Sequence, residues 1–159
     1  MKFIYSLLIV TCVCCSCNNE SGSKKDDKKT NAVTENRDSL PVADSIGLTY
    51  FRDLMGKYPN EIKLFEKPEL VTRLKKMMGP EFDFMRQNWE TEVPIDISNG
   101  IAFTWGMKAH SGGDPGSALC ADINKNVLFT AIRKDGKVQT YTEINSPLPP
   151  QLLDWMKGE

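Results

Sequence analysis

Along the first half of the folded part of this chain, apolar residues recur every three or four positions. Past Glu90 they recur nearly every second position. In residues 46–58, Ile46, Tyr50, Phe51, Leu54 and Met55 line one side of a helix, with Asp44 or Ser45 as the cap and Pro59 as the stop. A second helix is predicted over 68–78. Pro68 and Glu69 suit its first turn, Leu70, Val71, Leu74, Met77 and Met78 form its buried stripe, and Gly79 ends it. Pro80 opens a third helix over 80–90, with Phe82, Met85 and Trp89 along one side as core residues.

The alternating half predicts strands over 92–97, 100–108, 117–123, 127–133 and 138–143. Ile101, Phe103 and Trp105 share one face of the second strand. Asn124-Lys125-Asn126 turns the third strand into the fourth, and Lys134-Asp135-Gly136-Lys137, with its Asp-Gly pair, turns the fourth into the fifth. Pro147 to Pro150 precede a short terminal helix over 151–156. Helices first, then strands joined by short turns, predict an α+β fold: N-terminal helices packed on one face of a five-stranded antiparallel sheet, with a short C-terminal helix.

The N-terminus follows another logic. Met1-Lys2 is a short positive region, and residues 3–10 (FIYSLLIV) form an apolar run too short to remain as a membrane span. It fits the core of a secretion signal. Cys12, Cys14, Cys15 and Cys17 follow, and Ser16 before Cys17 makes a relaxed lipobox in which Cys17 accepts the lipid. Cys12, after Ile9-Val10-Thr11, is the alternative acceptor. Residues 18–44 are polar and charged, lack aromatics and show no apolar period, so they bury too little surface to offset the entropy of ordering. The expected organisation is a signal peptide over 1–16, a flexible tether over 17–44 and one α+β domain over 45–159. The expected location is the bacterial cell envelope, membrane-anchored through lipid, on the periplasmic or the outer surface.

Composition narrows the chemistry. The chain has 159 residues, 40% hydrophobic and 26% charged, with a formal net charge of −1. No global field therefore recruits nucleic acid or an anionic membrane surface. Four of the five cysteines lie in the signal region, and acylation of Cys17 leaves Cys120 as the one thiol of the folded domain, so no disulfide forms within it. With a single histidine, His110, and no cysteine cluster, no metal site or cofactor is expected. No Gly-x-Ser-x-Gly, P-loop or Gly-x-Gly-x-x-Gly is present. Cys120 lies within a predicted strand, where a thiol is ordinarily buried and inert. No catalytic residues are assigned, and the chain is read as a non-enzyme.

One segment stands apart. Residues 106–116 (GMKAHSGGDPG) lie between two predicted strands, carry four glycines and hold the only histidine. Loops mounted on a rigid sheet are common binding elements. Here the sequence resembles the Ivy family, inhibitors of vertebrate lysozyme, whose corresponding loop reads Cys-Lys-x-His-x-Cys. The matching run is Met107-Lys108-Ala109-His110-Ser111-Gly112: lysine and histidine coincide, while Met107 and Gly112 replace the cysteines. The likeness extends over roughly residues 49–155.

The resemblance implies an inhibitor of a lysozyme-type glycoside hydrolase. A loop of Lys108, Ala109, His110, Ser111 and Gly112 would enter the active-site cleft, where the imidazole meets the catalytic carboxylates. Without the cysteine staple such a loop is expected to be ordered on binding, at a cost of about 1 kcal/mol or more per fixed residue. Trp105 and Met107, with Phe103, would support its base. Asp114 and Asp122 would offer acidic surface to a basic enzyme. The alternative is a non-catalytic envelope module holding peptidoglycan or another envelope protein, through exposed aromatics such as Tyr141 or Trp155.

Overall fold

A computed structural model of the chain describes residues 47–158. The chain divides into Met1–Asp38, which lies outside the described residues, and Ser39–Glu159, to which the following applies. The signal, the Cys17 lipidation site and the tether all lie outside the described residues.

Ile46 and the expected caps Asp44 and Ser45 lie outside the described residues. Among the described residues the first predicted helix is a 3-10 helix, Leu48–Leu54, rather than an α-helix. Its apolar residues explain the difference. Leu48, Phe51 and Leu54 repeat every third residue, which stacks them on one side of a three-per-turn helix. Leu48 and Phe51 are buried, whereas Met55, assigned from sequence to the same face, is 63% exposed. A second 3-10 turn, Leu64–Glu66, leads into α1, Pro68–Met78, which runs over the predicted residues. Leu70, Leu74 and Met78, four apart, are its buried stripe, and Gly79 closes it at a positive φ of 60° with its N–H on the Lys75 carbonyl. Helix α2, Glu81–Gln87, is shorter than predicted. It places Phe82 and Met85 in the core, and Trp89 follows just beyond its end.

The sheet has six strands, all antiparallel, because the predicted first strand is split. Strand β1, Thr91–Glu92, and β2, Asp96–Ser98, both pair with β3, Ile101–Met107. Pro94 has no N–H to give to a ladder. The chain turns there, and Ile95 exchanges backbone hydrogen bonds with the segment after the first 3-10 helix, Gly56 N to Ile95 O at 2.8 Å and Ile95 N to Lys57 O at 2.9 Å. Strands β4 (Gly116–Asp122), β5 (Val127–Lys134) and β6 (Lys137–Thr142) follow the predicted segments to within a residue or so, in the order β1-β3-β4-β5-β6. Helix α3, Pro150–Lys157, completes the chain.

Both faces of the sheet are covered. Leu119, Ala121, Leu128 and Ile132 pack with α1, α2 and the 3-10 turns in the main core. Ala118, Cys120, Phe129 and Ala131 point the other way and are capped by Leu152 and Trp155 of α3. The central strand β4 is therefore buried along its whole length. Across the main-core side, Arg73 of α1 grips the far end of the sheet. Its Nε and Nη2 donate to both Glu143 carboxylate oxygens (2.7 and 2.6 Å), and its Nη1 and Nη2 donate to the side-chain and backbone oxygens of Asn126 (2.9 and 2.8 Å). Glu143 also accepts the Leu128 N–H at 2.8 Å. Among the described residues no helix is long and apolar enough to cross a membrane.

Candidate functional site

The loop between β3 and β4, residues 108–115, carries the sequence-predicted site. His110 is exposed and sits at φ 59°, a left-handed conformation that histidine adopts more readily than most residues. Its imidazole makes no hydrogen bond or ion pair among the described residues. Lys108 beside it is also exposed, as is Gly112, while Ala109 and Ser111 are half-buried. The ring is therefore displayed rather than packed away.

The loop has no disulfide, yet it is tied down at several points. Lys108 N donates to the Pro115 carbonyl at 3.1 Å, closing the loop where β3 and β4 part. Ser111 N donates to Lys108 O at 3.3 Å, a tight turn with His110 near its tip. Ala109 N donates to Glu90 Oε2 at 3.0 Å. The carboxylate of Asp114 accepts two backbone N–H groups from the neighbouring β5–β6 turn, Asp135 N at 3.0 Å and Gly136 N at 2.6 Å. Two acidic side chains thus hold the loop from opposite ends, one beside β1 and one against the next hairpin. The expectation of a loop left loose by the missing cysteines gives way to one braced by hydrogen bonds.

Glycine is needed at two places around it. A Cβ on Gly116 would lie 2.6 Å from the Gly113 carbonyl oxygen, so the loop can fold back over the start of β4 only because that position is bare. A Cβ on Gly106 would lie 2.6 Å from the Trp89 ring, which lies flat against β3 one residue before Met107. Trp89 is fixed in turn by Nε1 donating to Glu92 Oε2 at 2.8 Å and by an edge contact with Phe65. The loop thus springs from a rigid strand.

Trp105 and Met107, expected as support, lie at the end of β3 just before the loop. Together with Gly112, Gly113, Gly116, Arg133 and Trp155 they line a cleft of about 330 Å³ beneath it, on the α3 side of the sheet. Phe103 lies on the same face but farther along β3, outside that lining.

Other expected roles are corrected. Asp114 spends its carboxylate on the β5–β6 turn. Asp122 is buried and accepts from Asn124 N (3.1 Å), Lys125 N (2.9 Å) and Lys125 Nζ (3.3 Å), which makes it the cap of the β4–β5 turn rather than acidic surface for a partner. The aromatics named for the alternative module are not displayed: Trp155 is buried, and Tyr141 is half-buried against the main core. Glu90, which sequence reading passed over, is a brace of the loop.

Cys120 sits in the middle of β4, fully buried, and burial pushes its thiol up to about 12. Such a thiol is neither nucleophilic nor reachable by substrate. Among the described residues no group of three or more His, Cys, Asp or Glu side chains converges as a metal site would require.

These features define a class: an α+β domain that displays one braced, histidine-tipped loop from a rigid sheet. The family model of Ivy, the inhibitor of vertebrate lysozyme, matches residues 69–159, from the start of α1 through the loop to the end of the chain. The chain belongs to this family. It is accordingly an inhibitor and not an enzyme, its general activity is inhibition of lysozyme, and its partner is a lysozyme. No curated protein and no solved structure matches it.

Proposed function

We propose that this chain is a lipid-anchored envelope protein that blocks a lysozyme-type muramidase by inserting the loop of residues 108–112 into the active-site cleft. The observation that carries the reading is the exposed, unpartnered imidazole of His110 on a loop held by its own hydrogen bonds. A muramidase cleft presents one carboxylic acid and one carboxylate a few ångströms apart. A ring N–H of His110 donates to the carboxylate, and Lys108 adds positive charge at the rim. Because the loop is braced before it meets the enzyme, little ordering entropy is lost on binding, which offsets the absent covalent staple.

The anchor reading rests on sequence: a short apolar signal, then Ser16-Cys17, then a polar stretch long enough to lift the domain from a membrane surface. The protein would stand in the envelope, periplasmic or outward-facing, where it shields peptidoglycan.

The direct test measures hydrolysis of bacterial cell walls by lysozymes of several types with increasing amounts of the full chain. Dose-dependent loss of activity with at least one type is expected, and undiminished activity of every type at large excess rejects the function. The anchor is tested separately by labelled fatty-acid incorporation. Label should disappear in Cys17→Ser and persist in Cys12→Ser, and label retained by Cys17→Ser removes Cys17 as the acceptor.

A further inference from the structure

The cleft beneath the loop holds a cation that the fold only half uses. Arg133, on β5, is half-buried, and its guanidinium lies 4.6 Å from the Trp155 ring centroid. Its Nη2 donates to the Trp155 carbonyl at 2.8 Å and reaches the Met156 carbonyl at 3.4 Å, so one arm of the fork caps the C-terminal turn of α3. No hydrogen bond leaves Nε or Nη1, and no carboxylate pairs with Arg133 among the described residues. The Nη1 arm lies against the loop, 3.9 Å from where a Gly113 Cβ would stand. The other walls include Trp105, Met107 and the bare backbone of Gly113, Gly116 and Gly158.

A guanidinium with two unmatched donor groups, backed by indole and thioether surface, has the composition of a small-ligand site: mostly apolar lining with one oriented charge. At about 330 Å³ the cleft stands at the small end of such sites, room for one sugar ring or one amino-acid residue.

We propose that this cleft binds a small monocarboxylate with a compact apolar flank, its carboxylate on the Nε/Nη1 side of Arg133 and its body against Trp105 and Met107. Two sources of that chemistry fit the size, a sugar bearing a carboxylated ether and the terminal carboxylate of a short peptide. The proposal is independent of the inhibitory role of His110. Because the loop backbone forms one wall of the cleft, an occupant also packs against the loop.

The test is an NMR titration of the full, ¹⁵N-labelled chain that follows the indole N–H signals of its three tryptophans. The probes are two matched pairs: N-acetylmuramic acid with N-acetylglucosamine, and N-acetylalanine with its amide. In each pair only the first carries a carboxylate. At least one acid is expected to shift Trp105 and Trp155 saturably while Trp89, buried on the opposite side of the sheet, stays still. Its neutral counterpart should bind about tenfold more weakly or less. A response to N-acetylmuramic acid alone identifies the sugar source, a response to N-acetylalanine alone the peptide source, and a response to both a site that reads the carboxylate itself. The proposal is overturned if neither acid gives a saturable shift, if the neutral partners bind as well, or if Trp89 responds equally. Arg133→Gln should erase the acid preference. Where that variant loses its fold because the α3 cap is gone, the titration of the native chain decides alone.

Discussion

Removing the carboxylate of Asp114 isolates the contribution of loop bracing to inhibition. Asp114→Ala deletes the acceptor of two backbone hydrogen bonds, at 3.0 and 2.6 Å, that join the histidine loop to the β5–β6 turn. A hydrogen bond to a carboxylate contributes about 1.5–3 kcal/mol when shielded from water, but both of these face solvent, which lowers that figure, and the pair contributes about 1–2 kcal/mol. The loss falls on the braced conformation. If inhibition requires that conformation, apparent affinity drops with its population, about 5- to 30-fold at most.

The paired measurements are the inhibition constant against a sensitive lysozyme and hydrogen exchange at the amides of Asp135 and Gly136. Both should change in Asp114→Ala. Asp114→Asn, which keeps a side-chain oxygen acceptor but no charge, should fall between the variant and the native chain. If Asp114→Asn matches the alanine variant and both lose their effect in high salt, attraction to a basic enzyme, and not bracing, is what Asp114 supplies. If exchange accelerates in Asp114→Ala while inhibition stays within a factor of two, pre-ordering of the loop does not matter and the reasoning is refuted.

Two further outcomes follow from the fold. Arg73→Ala leaves Glu143 partly buried without its partner and unties α1 from Asn126, so a loss of about 2–3 kcal/mol is expected in denaturant unfolding. A loss below about 0.5 kcal/mol would reduce the clamp to an ordinary surface pair. Stability should also fall in alkali. Burial raises the Cys120 thiol and the Tyr50 hydroxyl to about 12 each, so above their ordinary values of 9.0 and 10.0 the unfolded chain releases protons that the folded chain keeps. The thiol alone then lowers unfolding free energy by up to about 1.4 kcal/mol per pH unit from pH 9 upward, joined by Tyr50 above pH 10. Cys120→Ala should flatten the fall between pH 9 and 10, and an unchanged slope there would contradict the assignment to Cys120.

Elements whose signals are local were legible in the sequence. Helix α1 has its proline start, apolar stripe and glycine stop within eleven residues, and the Asp135-Gly136 turn adopts the paired positive φ angles, 54° and 72°, that such a dipeptide favours. Where two readings competed, pattern alone failed. Leu48, Phe51 and Leu54 fit a period of three as well as an α-helix, and only packing against the sheet chose between them. The Asn99-Gly100 pair, at φ 52° and 78°, was a hairpin signal that would have separated β2 from β3 and drawn attention to Pro94.

The second covered face of the sheet was concealed by β4, whose small residues Ala118, Cys120 and Ala121 give no strong alternation. At the site, the glycines and the solitary histidine marked the loop, but its braces did not show. Glu90 meets Ala109 across 19 positions, and Asp114 meets Asp135 and Gly136 across 21 and 22, separations over which side-chain pairing leaves no sequence pattern. Arg133 was likewise unreadable, since its role depends on α3 arriving over β5.

The insertion of His110 is tested most directly by measuring the inhibition constant of His110→Asn beside the native chain against the same lysozyme. Asparagine keeps the left-handed backbone at that position while removing the imidazole, so the loop stays in place. One charge-assisted hydrogen bond to a catalytic carboxylate is worth about 1.5–3 kcal/mol, which predicts inhibition weaker by at least about tenfold with an unchanged unfolding midpoint. Inhibition within twofold of the native chain, in a variant that remains folded, would contradict it.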